Sequence, residues 1–289
     1  MKNKKRSILI VSLTVLIIAV LSAVLVPLIR NATENSRLGK YMSQDLGNVD
    51  NIVLISHCAE IDGRTNSVAG VKEAVRLGAD AVIVDLCFRK DGTPVITDNY
   101  ENSGSATTVE ELFTQMNEDK YKDVMIYLNI VQLSEMSKLN SIAVKHNMVG
   151  RAFIIGIDEE HYGLISSDST ILPFLLDYKL TDEDKSAIAD GTFSPPVCIT
   201  EYGASGIVIT ADDATEDAVK TLNEFGIPFI VSETASTDEY CKVLINGAFS
   251  VCVGDIGKAA QILEDWTVSM QERHSRSVEQ SLADLRKTA

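Results

Sequence analysis

The chain has 289 residues, 45% hydrophobic and 23% charged, and its 26 Lys and Arg against 41 Asp and Glu give a formal charge of -15. That apolar content, with only 17 Gly and 6 Pro, excludes a disordered or collagen-like chain. The acidic balance excludes a nucleic-acid binder, because such affinity rests on Lys and Arg neutralising phosphates. The charge is unevenly placed: residues 1–30 carry five bases (Lys2, Lys4, Lys5, Arg6, Arg30) and no acid, so the rest holds 21 bases against 41 acids, a net of -20.

From Ile8 to Ile29 no residue is charged, and the run is Leu, Ile, Val and Ala broken by Ser12, Thr14, Ser22 and Pro27. Its length matches the roughly 20 apolar residues that cross a bilayer as a helix. The bases before it place the amino terminus in the cytoplasm by the positive-inside rule and send the acidic remainder across. A cleavable signal peptide is the competing reading, because Leu21-Ser22-Ala23 is small-residue rich, although such a peptide has an apolar region of only about 7 to 15 residues. Residues 31–50 then read as a polar stalk.

Residues 51–268 alternate short β-branched runs with helical patterns, the sign of repeated βα units on a parallel sheet. In chain order the predicted strands are Ile52 to Ser56, Ala81 to Cys87, Val124 to Ile130, Ala152 to Ile157, Ile171 to Leu176, Gly206 to Thr210, Pro228 to Ser232 and Phe249 to Val253. Helical stretches fall at Ser67 to Leu77, Val109 to Asn117, Glu135 to His146, Glu216 to Phe225 and Asp238 to Ile245. Eight such strands predict an α/β (β/α)₈ TIM barrel, preceded by one N-terminal transmembrane helix. A doubly wound open sheet is the alternative, but no glycine-rich first turn supports it. Pro94 to Thr97 reads as the return strand of a hairpin through Asp91-Gly92, which sets Asp85 opposite Asp98.

His57 directly follows the first strand, at the carboxyl end where barrels keep their chemistry, and an imidazole there is a candidate acid or base. The other histidines, His146, His161 and His274, lie in helical or charged surroundings. The cysteines Cys58, Cys87, Cys198, Cys241 and Cys252 form no CxxC and mostly sit in apolar runs, so they read as buried thiols.

Ile55-Ser56-His57, Thr65-Asn66-Ser67, Gly78-Ala79-Asp80 through Asp85, Lys90-Asp91-Gly92-Thr93-Pro94-Val95, Thr108-Val109-Glu110-Glu111-Leu112 and the closing Asn246 to Asp255 follow one another in a familiar order. Together they resemble the glycerophosphodiester phosphodiesterase family, whose members carry H-R-G, E-N-T, G-A-D-x-x-E-x-D, K-D-G-x-P-V, H-D and I-E-I-K. The resemblance spans residues 51–268. It implies metal-dependent hydrolysis of glycerophosphodiesters, a phosphoric diester hydrolase of lipid metabolism, with a divalent cation (Ca²⁺ or Mg²⁺) on carboxylates and two histidines as acid and base.

Carried over by position, His57 matches the first histidine, Asp85 the aspartate of E-x-D and Asn66 the asparagine of E-N-T. The other positions are replaced. The arginine of H-R-G is Cys58, the glutamate of E-N-T is Thr65, the glutamate of E-x-D is Ile83, the second histidine falls on Asp98, and I-E-I-K reads Leu128-Asn129-Ile130-Val131. The metal set is thereby reduced to Asp85, with Asn129 as a neutral oxygen donor, and the cation is weakened or lost. The resemblance therefore implies a membrane-anchored, extracytoplasmic descendant that is catalytically impaired or purely a binding scaffold, with a glycerophosphodiester or envelope polymer as ligand. The alternative is an active hydrolase rebuilt on His57, Asp85 and Asp98, with Glu60, Asp62, Asp212 and Glu233 leaving an acidic rim possible. Cys58 and Cys87 would be neighbours on that rim, able to bond if their α-carbons stand about 4.4 to 6.8 Å apart. Residues 269–289 read as a charged helical tail.

Overall fold

A computed structural model of the chain describes residues 34 and 36–288, apart from 48, 60–64, 133, 135, 163–164 and 166–169. Ile8 to Ile29 lies outside them, and among the described residues no helix is long and apolar enough to cross a membrane. The chain divides into a unit Met1–Gln44, helical over 36–42, and a unit Asp45–Ala289. All that follows concerns the second unit.

Its elements, in order, are β1 (Val53–His57), α1 (Val68–Arg76), β2 (Ala81–Phe88), β3 (Pro94–Ile96), β4 (Thr107–Thr108), α2 (Val109–Met116), β5 (Met125–Ile130), α3 (Ser137–Lys145), β6 (Ala152–Ile157) and β7 (Phe174–Asp177). There follow α4 (Asp182–Ala189), α5 (Val197–Tyr202), β8 (Gly206–Ile209), α6 (Glu216–Glu224), β9 (Phe229–Thr234), α7 (Thr237–Ile245), β10 (Ser250–Val253) and α8 (Ile256–Thr288). Eight strands, β1, β2 and β5 to β10, run parallel, and the β1–β2 pairing closes them into a barrel. β3 and β4 hang antiparallel from the outer half of β2.

The barrel interior is filled by alternate residues of the strands, among them Ile55, Ile83, Tyr127, Ile155, Leu175 and Cys252. Period-two alternation then fixes what lies one pleat nearer the carboxyl ends: His57 above Ile55, Asp85 above Ile83, Asn129 above Tyr127 and Asp177 above Leu175. Burial pushes the Tyr127 phenol up to about 12, so the layer beneath the mouth stays neutral.

The helices start where their caps dictate. Ser67 accepts from the Gly70 N–H at 3.0 Å to open α1, and Thr108 with Glu111 closes a capping box on α2. The predicted β7 begins three residues late. Pro173 has no N–H for the ladder, and the Ile171 N–H is taken by Asn140 Oδ1 at 3.2 Å. α4 is absent from the sequence reading because it buries no residue and so has no apolar stripe, although Thr181 and Asp184 form its capping box. α8 runs without a break through residue 268. Trp266 is fully buried, whereas 274–281 is exposed throughout, so the helix outruns the body it packs on.

The hairpin register differs from the sequence expectation. Leu86 pairs with Ile96, Cys87 with Val95 and Phe88 with Pro94, so Asp85 stands opposite Thr97, whose N–H donates to the Asp85 carbonyl at 2.8 Å. The turn holds three residues, Lys90-Asp91-Gly92, with Gly92 at φ 77°, instead of the two assumed. A one-residue slip moves every side chain to the other face, and it takes Asp98 away from the position opposite Asp85.

Candidate functional site

The carboxyl ends of the barrel strands carry the candidate chemistry. His57 ends β1 with its side chain exposed, and it pairs in register with Ile83 of β2. Asp85 lies one inward position farther along β2 and is the hub of the mouth. Asn66 Nδ2 donates to Asp85 Oδ2 at 2.9 Å, and Asn129 Nδ2 donates to Oδ1 at 2.7 Å. The Asp85 N–H in turn donates to Asn66 Oδ1 at 2.7 Å. A carboxylate offers only acceptors, so both amides turn their nitrogens toward it.

Each amide is held by a local backbone feature. Asn66 is buried and has φ 54°, the left-handed conformation that Asn tolerates better than other side chains with a β-carbon. Asn129 pairs with Asp85 across β2–β5 and leans on β6, where a bulge falls at Gly156. Gly156 has φ 77°, and a β-carbon there would stand 2.1 Å from Asn129 Oδ1. The oxygen of Asn129 is therefore packed against β6, and its nitrogen faces Asp85.

This geometry answers whether a cation of the implied kind fits. Both Asp85 oxygens already accept amide N–H groups, Asn129 presents nitrogen where an oxygen ligand was expected, and Ile83 is buried in the apolar layer beneath. Among the described residues no three His, Cys, Asp or Glu side chains gather as metal ligands do. A hard cation is held by one or more carboxylates with waters completing its shell, and among the described residues no second carboxylate stands beside Asp85 at the positions of Ile83 and Asn129.

The acidic rim lies elsewhere. Asp177 ends β7 and Asp158 follows β6; burial, then the Asp158 charge, pushes the Asp177 carboxyl up, offset in part by a hydrogen bond from the Gly156 N–H. Its side chain is exposed, so water screens the Asp158 charge. Asp158 is bonded to His161, and the Tyr162 hydroxyl donates to the Asp177 carbonyl. Asp98 and Asp212 are exposed. Glu60 and Asp62, and the side chain of Glu233, lie outside the described residues. Asp158 and Asp177 obey the same strand-end rule that singled out the other acids, and the sequence reading passed over them. His161, which lies in charged surroundings as the sequence indicated, is bonded to Asp158.

Cys58 and Cys87 are both free, buried thiols, as their apolar surroundings in the sequence suggest. Cys58 is one residue past inward-facing His57, so it points outward beneath α1, where its thiol donates to the Ser67 carbonyl at 3.3 Å. Cys87 shares the inward parity of Asp85, and its thiol donates to the Thr97 carbonyl at 3.3 Å. Each thiol thus has its own backbone acceptor. Burial, then the charges of Asp85 and Asp98, pushes the Cys87 thiol up, and burial raises Cys58 as well, so both resist becoming thiolates.

Beside His57 a cleft of about 460 Å³ runs between β1 and the start of α8, lined by Ser56, Cys58, Leu77, Gly254 and Asp255. A helix start after the last barrel strand is where many barrels hold a phosphate. Here Asp255 Oδ1 accepts the Lys258 N–H at 3.0 Å, so a carboxylate already occupies the position of an anion. A second cleft, about 570 Å³, lies at the opposite end of the barrel between α6 and α7.

No protein-family model matches the chain, and no curated protein sequence matches it. Solved structures do. A glycerophosphodiester phosphodiesterase from Agrobacterium tumefaciens is 14% identical with a TM-score of 0.54, over 73% of this chain and 99% of that one. One from Parabacteroides distasonis is 13% identical with a TM-score of 0.55, over 75% and 98%. An Oleispira antarctica phosphodiesterase in complex with the product sn-glycerol-3-phosphate is 12% identical with a TM-score of 0.55, over 73% and 96%. With the closed eight-stranded barrel, these similarities establish that the chain has the fold of the glycerophosphodiester phosphodiesterases.

Proposed function

We propose that the chain is a non-hydrolytic binding module on the phosphodiesterase barrel, tethered by residues 8–29 to the outer face of the cytoplasmic membrane. The observation that carries this reading is the engagement of both Asp85 oxygens by Asn66 and Asn129. Hydrolysis of a phosphodiester needs the developing charge neutralised and the leaving alkoxide protonated. The chain keeps a proton carrier in His57, but it has Cys58 in place of the phosphate-holding arginine and Asp255 at the helix start. Ligands of glycerophosphodiester or polyol-phosphate type are suggested by analogy with the fold.

The exposed His57 imidazole favours a second reading, an active hydrolase with a rearranged site. One assay separates the two. The full chain in mild detergent is incubated with glycerophosphocholine or glycerophosphoglycerol, with Ca²⁺, with Mg²⁺ and with chelator, and release of glycerol phosphate is measured. The binding-module reading gives no turnover above the blank in any condition. Turnover abolished by His57→Ala would overturn it. The tether is tested by protease added to intact cells, which cleaves the barrel only if it lies outside the membrane.

A further inference from the structure

We infer that the Asn66–Asp85–Asn129 cluster is an amide clamp that fastens the barrel mouth in the manner of a bound cation, so that folding of the mouth is independent of metal. This deepens the proposed function and rests on its reading that both Asp85 oxygens accept an amide N–H. The cluster joins four pieces of chain that a cation in the mouth would otherwise gather. Asn66 stands at the foot of α1, one residue before its cap Ser67, and grips β2 through both the backbone N–H and the carboxylate of Asp85. Asp85 reaches β5 through Asn129, and Asn129 is seated on β6 by the space that Gly156 leaves.

The chemistry is that of charge neutralisation by donors instead of by a positive ion. A carboxylate near a low-dielectric barrel interior is costly unless its lone pairs are met. Two amide N–H groups at 2.7 and 2.9 Å, with a third hydrogen bond holding the Asn66 amide square to the strand, meet that need without a counter-charge. The Asn129 nitrogen takes one acceptor site of Oδ1. A cation binding there would have to displace Asn129 from its seat on Gly156.

The discriminating substitution is Asn129→Asp, because it keeps the shape that fits Gly156 and replaces the N–H donor by a second carboxylate beside Asp85. In chelator this variant melts roughly 5 to 10 °C below wild type, reflecting the lost hydrogen bond to a carboxylate and the new repulsion. Ca²⁺ or Mn²⁺ at about 100 times its Kd then restores a similar amount, because the paired carboxylates now form a cation site. The wild-type chain shows no melting shift between chelator and either ion, and it retains no stoichiometric metal on equilibrium dialysis. If Asn129→Asp does not fold in chelator, Asn66→Asp is compared in the same way, and recovery of folded protein on adding the ion serves as the readout. The inference is overturned by a saturable metal-induced shift in wild type that Asp85→Asn removes, or by an Asn129→Asp chain that is neither destabilised nor rescued. Turnover in chelator would sink the non-hydrolytic reading and leave the clamp standing, so the two failures are told apart.

Discussion

Gly156→Ala isolates the seat of Asn129. Two costs follow from the coordinates. At φ 77° a residue with a β-carbon costs roughly 1 to 2 kcal/mol more than glycine. The new carbon would also stand 2.1 Å from Asn129 Oδ1, which forces that side chain off Asp85 and loses a hydrogen bond to a carboxylate, about 1.5 to 3 kcal/mol. The expected destabilisation is therefore about 2.5 to 5 kcal/mol, or roughly 5 to 20 °C for a domain of this size. Gly150→Ala is the matched control, because Gly150 has φ 89° with nothing within 4 Å of a β-carbon, leaving only the backbone cost of about 1 to 2 kcal/mol. Urea unfolding of the full chain in mild detergent, followed by circular dichroism, compares them. Equal losses in the two variants would show that the Asn129 contact adds nothing, and the account of the mouth would fail with it.

Two further outcomes are expected. Burial and the Asp158 charge raise the Asp177 carboxyl, so the folded state holds that proton more tightly than the unfolded one. Its contribution to stability is fully present below the unfolded pKa, near 3.9, and is lost as pH rises through the folded value. Asp177→Asn accordingly melts higher than wild type at neutral pH, with the gap closing toward pH ~4 in a thermal series; a gap that widens on acidification contradicts the shift. Trp266→Ala, fully buried in α8, loses roughly 3 to 5 kcal/mol, whereas a stop codon at His274 leaves the melting temperature nearly unchanged because 274–281 is exposed. A large loss on truncation would mean that the end of α8 packs on something.

The barrel was legible because its evidence is local. β-branched runs such as Ala81 to Phe88 are buried nearly throughout, and capping residues such as Ser67 and Thr108 mark where the helices begin. His57 was legible because it closes a parallel strand at the carboxyl end of the barrel, and Asp85 through the resemblance of Gly78-Ala79-Asp80 through Asp85 to G-A-D-x-x-E-x-D. What escaped depends on details shorter than an element. Whether Asp91-Gly92 makes a two- or three-residue turn moves Asp98 by a whole face. Whether Asn129 offers oxygen or nitrogen depends on its partner, and the partner became plain only once Asp85 was seen across β2–β5 with Gly156 behind.

The isoleucine at position 83 links the packing of the barrel to the chemistry of its mouth. Ile83 is 6% exposed and packs in the layer with Ile55, Tyr127 and Ile155. Burying an isoleucine there contributes about 1.5 to 3 kcal/mol. A glutamate at that place would need a cation or cationic partner to offset a desolvation penalty of several kcal/mol. The apolar layer thus extends to the position directly beneath Asp85, and a carboxylate left alone above it needs neutral donors. Asn66 and Asn129 supply them, so Ile83 and the two amides form one solution: the side chain that fills the core at position 83 offers no ligand, and the amides above it meet the Asp85 carboxylate.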